Sequence, residues 1–185
     1  MAETKIIGRE KVLEGHVFFV EKVDLLMPDG RERAYDLVNH LDAVTILPID
    51  DEGMVYFVRQ YRVGAEKEML ELPAGVMDEG EDPLTTAHRE LQEEIGRDAS
   101  HMERIGGFYM ASGYTTEFMH VFFAANLSEH SLEQDEDEFL SLVKVDVREV
   151  FGMIQSGQIE DGKTISAFLL AMPMLNELLI AANGF

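Results

Sequence analysis

At 185 residues the chain is long enough to bury a sizeable core, and one domain with an appendage is the expected organisation. A formal net charge of −21 argues against partners that need a basic patch, such as nucleic-acid polymers and anionic membrane surfaces, and leaves a small phosphate-bearing ligand only where a cation offsets the local field. The lack of cysteine excludes disulfides, zinc–thiolate sites and a thiol nucleophile.

In chain order, residues 10–39 read as antiparallel strands. Val17 to Met27 is rich in Val, Phe and Leu, Met27-Pro28-Asp29-Gly30 is a turn, and Arg31 to Val38 returns as the partner. A soft boundary at His40-Leu41-Asp42 divides a β extension, residues 1–42, from the main domain, residues 43–185. A second hairpin is expected from Ala43 to Ile49, a turn at Asp50-Asp51-Glu52-Gly53, and Met54 to Tyr61. Asp82-Pro83 opens a helix that Gly96 stops, with Leu84, His88, Leu91 and Ile95 at inward-packing spacing. Strands follow at Gly107–Met110 and Phe118–Ala125. Asp146 to Ser156 reads as a helix with Val147, Val150, Phe151 and Ile154 on one face, and Thr164 to Ala182 as a last helix bent near Pro173. No internal repeat is visible. This order suits an α/β/α sandwich on a mixed sheet, preceded by a small antiparallel β extension. The first residues, Met1 to Lys5, lack a signal-peptide apolar core. The longest apolar run, Ala167 to Leu175, is too short to span a bilayer, so a cytoplasmic location is expected.

The chemistry concentrates in the central helix. Glu90, Glu93 and Glu94 lie one turn apart and share a face, where like charges repel. A divalent cation turns that repulsion into attraction, and clustered carboxylate oxygens suit hard Mg²⁺ or Mn²⁺. On these three residues alone, a solvated acidic face explains the pattern as well.

The wider pattern decides between them. Gly75, five residues, Glu81, seven residues, then Arg89-Glu90-Leu91-x-Glu93-Glu94-x-Gly96 resembles the signature of the Nudix hydrolases, which cleave nucleoside diphosphates linked to another moiety. It departs only at the last position, where the family usually has an apolar residue and this chain has Arg97. The resemblance implies the family's fold. It implies too that Glu90 and Glu94, with the Ala74 carbonyl and Glu93, hold Mg²⁺, with Mn²⁺ as a substitute, while Glu81 supports the cluster, Arg89 orients its carboxylates, and Gly75 lets the backbone come close.

Other strings resemble the ADP-ribose pyrophosphatase branch: Glu71-Leu72-Pro73-Ala74-Gly75 leading into the signature, and Val58-Arg59-Gln60-Tyr61-Arg62 carrying an arginine toward the substrate. Tyr109 to Glu117 resembles a loop that usually reads Ser-Pro-Gly with a Glu a few residues on. Here Ala111-Ser112 precede Gly113 and the proline is missing, which bears on substrate choice. Asp135-Glu136-Asp137-Glu138-Phe139 resembles the acidic loop supplying a catalytic glutamate, and the resemblance implies that the matching Glu138 touches the metal or its water and acts as general base. Arg62, Glu71 and Glu117 are the substrate-binding candidates; Glu71 read without the resemblance is a solvated strand residue. The branch further implies a homodimer in which the N-terminal strands exchange between subunits, and hydrolysis of ADP-ribose to AMP and ribose 5-phosphate. GDP-mannose and dinucleoside polyphosphates are the alternative substrates, and a non-catalytic nucleotide-sensing module is the alternative of another class. Gly157 to Thr164 matches a phosphate-binding loop in spacing, but it follows a helix and carries Glu160 and Asp161 where phosphates would sit, so it reads as structural.

Overall fold

The computed structural model of the chain describes residues 3–130 and 140–182, with side chains described through residue 178. Its elements are β1 (Lys5–Glu14), β2 (Phe18–Leu26), β3 (Glu32–His40), β4 (Ala43–Pro48), β5 (Met54–Arg62), β6 (Lys67–Glu71), β7 (Ala74–Val76), α1 (Pro83–Ile95), β8 (Arg97–Tyr109), β9 (Phe118–Glu129), β10 (Ser141–Asp146), α2 (Val147–Gln155) and α3 (Gly162–Ala182). The architecture is mixed α/β. Contacts divide the chain into two units. One takes the residues up to Asp42 together with Phe108–Met119, and the other takes Ala43–Gly107 and the residues from His120 onward.

The first unit is a three-stranded antiparallel sheet in the order β1-β2-β3. β2 and β3 pair in unbroken register from Phe18↔His40 to Leu26↔Glu32, while β1 meets β2 with irregularities between Ile6 and Gly8 and between Lys11 and Leu13. The turn joining β2 and β3 closes through the Gly30 N–H to the Met27 carbonyl at 2.9 Å, with Gly30 at φ +83°, where a side chain would be strained. Segment 108–119 lies along the end of β3: the Val38 N–H donates to the Tyr114 carbonyl at 2.7 Å, and the Thr116 N–H donates to the Val38 carbonyl at 3.0 Å. Glu117 therefore belongs to this unit.

The second unit holds two sheets, in strand orders β7-β4-β9-β8 and β10-β5-β6. The period of two along β5 builds its layers. Tyr56 and Val58 join Val44 and Ile46 in a cluster with Ala87, Leu91 and Ile95 of α1. Phe57, between them, stacks on Phe168 of α3 with centroids 6.0 Å apart, and Phe151 of α2 meets Phe168 edge-on at 6.1 Å. Helices therefore pack on both faces of β5, which gives the three-layer sandwich that the chain order suggested.

The expected second hairpin does not form. The reversal itself is present: the Asp50 N–H donates to the Met54 carbonyl at 3.0 Å, Gly53 takes φ +79°, and one bridge joins Ile49 and Val55. Beyond that bridge β4 and β5 enter different sheets. Every residue of β4 is buried, as are Val55 to Val58, so neither strand has the solvated face of a two-stranded ribbon, and each becomes an interior strand of its own sheet. The last helix starts at Gly162, two residues earlier than expected, and contains Pro173. Among the described residues, no helix is long and apolar enough to cross a membrane.

Candidate active site

Local chemistry sets the frame. The Asp82 carboxylate accepts from the Leu84 N–H at 3.0 Å and the Thr85 N–H at 3.4 Å, Pro83 occupies the first turn of α1, and Gly96 ends the helix at φ +65°. The buried face of α1 is Thr86, Ala87, Glu90, Leu91, Glu94 and Ile95. Leu84, expected on that face, is 43% exposed, and His88 is half-buried, held to Asp98 at 2.5 Å. Both belong to a stripe beside the glutamates: α1 meets β4 through Ala87, Leu91 and Ile95, and meets β7 through Glu90 and Glu94.

Glu90 and Glu94 are 7% and 4% exposed. Glu94 accepts the Ala74 N–H at 3.0 Å. A methyl group at Gly75 would lie 2.0 Å from the Glu90 carboxyl carbon, so only glycine leaves room for this carboxylate against the backbone of β7. Arg89 draws the remaining acids together. Its Nη1 donates to Glu90 at 2.6 Å and Glu93 at 2.9 Å; its Nη2 donates to Glu81 and to the Val76 carbonyl, both at 3.2 Å. Burial works against the Arg89 cation, but the hydrogen bond to Glu81 and the charge of Glu90 outweigh it and raise its pKa. Burial likewise works to raise the Glu81 carboxyl, yet the Arg89 hydrogen bond and the Asp78 N–H keep it below its ordinary value.

Beside this cluster lies a second one. Arg62, at the end of β5, grips Glu71 with Nε at 2.9 and 3.1 Å and Nη2 at 2.7 Å. Glu71 is 1% exposed and also pairs with the buried Lys163, so it is an interior counter-ion and not a solvated strand residue. Burial raises the Glu71 carboxyl, and the Arg62 hydrogen bonds with the Lys163 charge outweigh that and hold it below its ordinary value. The Glu71 hydrogen bond raises Arg62, and the charge of Glu94 acts in the same direction. The two clusters are therefore electrostatic neighbours. Lys163 was not a sequence candidate: its partner is 92 residues away, and nothing local marks the pairing.

Of the sequence candidates, Arg62, Glu71, Ala74, Gly75, Glu81, Arg89, Glu90, Glu93, Glu94 and Gly96 all lie in the second unit. Glu117 lies in the first unit, and Glu138 lies outside the described residues. Arg97, the departure from the signature, turns to Glu129 at 3.2 Å and sits 6.0 Å over the Tyr56 ring. Ala74 is engaged through its N–H, and it pairs with Thr45 of β4.

The donor chemistry fits a hard divalent cation. The acids offer oxygen only, two of them are buried together, and Gly75 admits one against backbone. Among the described residues, no three His, Asp or Glu side chains are grouped to hold a metal by themselves. Arg89 supplies the cluster's positive charge and takes Glu81, Glu90 and Glu93 onto its guanidinium.

Comparison with known proteins bears on this arrangement. A NUDIX domain profile matches residues 39–168. The chain is 36% identical over 167 residues to an ADP-ribose pyrophosphatase of Bacillus subtilis (strain 168), covering 89% of this chain and 90% of that protein. It is 31% identical over 172 residues to the ADP compounds hydrolase NudE of Escherichia coli (strain K12), covering 92% of each. A crystal structure of an ADP compounds hydrolase matches with a TM-score of 0.85 at 30% identity, over 95% of both chains. Nudix hydrolases generally need a divalent metal. The chain belongs to the Nudix family, as a pyrophosphohydrolase acting on nucleoside diphosphate compounds.

Proposed function

We propose that the substrate is ADP-ribose and that the enzyme splits its pyrophosphate with Mg²⁺, water adding across one P–O–P bond to give AMP and ribose 5-phosphate. The observation that carries the reading is the buried Glu90–Glu94 pair seated on Ala74-Gly75 and braced by Arg89. ADP-ribose in particular is supported by the names of the relatives and by the branch-like strings around Arg62 and Glu71.

In this reading Glu90 and Glu94, with Glu93 and the Ala74 carbonyl, hold the Mg²⁺, which supplies a polarised phosphoryl oxygen and an acidified water. Arg89 holds the carboxylates together and aimed by sharing one positive charge among three of them. Glu81 anchors Arg89 from the far side of the signature loop, its own carboxylate accepting the Asp78 N–H at 3.2 Å. Arg62 contacts the diphosphate, because a planar guanidinium matches phosphate oxygens two at a time. Glu138 takes the proton of the attacking water, and Glu117 contacts the substrate; the sequence resemblance supports both. Residues 1–42 form a dimerisation element whose strands exchange between subunits of a homodimer. Exposed Ile6, Ile7, Val12, Leu13, Val17 and Phe18 support that role, since a sheet with so much open apolar surface gains by covering it.

The test is product analysis with Mg²⁺ and a panel of ADP-ribose, GDP-mannose, ADP-glucose and diadenosine polyphosphates. Fastest release of AMP from ADP-ribose is expected. A faster reaction with another compound moves the substrate, and no turnover with any divalent metal sinks the enzymatic reading of this site.

A further inference from the structure

The segment from Gly157 to Thr164 has the spacing of a phosphate-binding loop but not its setting, and its last two residues are buried beside the site. Lys163 pairs with Glu71 and, at 3.2 Å, with Asp161. Thr164 Oγ1 accepts the Leu72 N–H at 2.9 Å and donates to Asp161 at 2.6 Å. Leu72 is two residues before Ala74, so the start of α3 grips the β6–β7 link that leads into the signature.

A buried ammonium is costly unless paired and hydrogen-bonded, so its placement calls for a reason. Glu71 provides one. Its carboxylate takes Lys163 as one partner and the Nε–Nη2 edge of Arg62 as the other. That grip fixes the plane of the Arg62 guanidinium and turns the Nη1 edge away from Glu71. Two cations, Arg62 and Lys163, are set against two acids, Glu71 and Asp161, so the cluster is near neutral in an otherwise acidic chain. Without Lys163, Glu71 is a buried carboxylate with one half-exposed counter-ion, and the grip on Arg62 loosens.

We infer that Lys163 is a positioning residue for the reaction, acting through Glu71 to hold Arg62 in the orientation that receives the substrate diphosphate. The inference rests on the reading of Arg62 as a phosphate contact given above. Lys163 itself touches no substrate.

The experiment is a kinetic double-mutant cycle on ADP-ribose with Arg62→Ala, Lys163→Met and the double variant, folding being checked by thermal denaturation. Arg62→Ala raises KM by about 10-fold, the worth of one hydrogen bond to a charged group. Lys163→Met raises KM by a similar factor with kcat within about twofold, as expected when only uniform binding is lost. The double variant is no worse than Arg62→Ala, and Lys163→Arg restores the wild-type KM. Lys163→Gln replaces Lys163→Met if the latter fails to fold. Losses that multiply in the double variant, or a wild-type KM in the folded Lys163 variant, overturn the positioning role. A wild-type KM in Arg62→Ala overturns the phosphate-contact reading, and the inference falls with it; that single variant tells the two failures apart.

Discussion

Glu90 and Glu94 are buried carboxylates, Glu90 paired with Arg89 and Glu94 accepting the Ala74 N–H. Glu90→Gln and Glu94→Gln keep the side-chain volume and remove the charge. Each is expected to lower kcat on the order of 100-fold in a folded protein, the typical loss when a charge-stabilising group is removed. Gly75→Ala tests the close approach from the other side: its methyl group meets the Glu90 carboxyl at 2.0 Å and must displace it. Activity falls as in Glu90→Gln while circular dichroism stays native. Glu71 sets a pH dependence. Its folded pKa is below the ordinary 4.5, so its contribution to stability is complete above about pH 4.5 and is lost as pH falls through the lower folded value. The difference in Tm between wild type and Glu71→Gln should therefore shrink progressively below about pH 4.5, and a difference constant down to pH 2 would contradict the pairing.

At the scale of elements, the two faces of β5 carry the sandwich. Phe168 is fully buried between Phe57 and Phe151, so Phe168→Ala should destabilise by about 3–5 kcal/mol, read from denaturant unfolding. The signals written within a few residues were legible in sequence: the Asp82 cap, Pro83, the Gly96 stop, the Gly30 turn and the signature spacing all act locally. Partner choice between strands was not. The Asp50–Gly53 reversal looks the same whether the strands continue side by side or part after one bridge, and the outcome depends on β6, β7, β9 and β10 competing for the edges. β1 begins at Lys5, ahead of the expected start, because its mostly exposed residues lack the alternation that marks a half-buried strand. The Glu71–Lys163 pair was invisible for a related reason: a contact spanning 92 residues leaves no periodic trace.

At the scale of the molecule, the net charge of −21 and the apolar strand surface of the first unit make separate predictions. Light scattering should give the mass of a dimer, and Leu13→Asp together with Val12→Asp should give a folded monomer, since both side chains are exposed within their own unit. A wild-type monomer would contradict the proposed role of residues 1–42. The measurement that reaches the central claim most directly is the initial rate of AMP release from ADP-ribose at saturating Mg²⁺, for the wild type and Glu94→Gln side by side. The expected result is Mg²⁺-dependent turnover by the wild type and a loss on the order of 100-fold in the folded variant. Equal rates, or a wild type that leaves ADP-ribose intact, would contradict it.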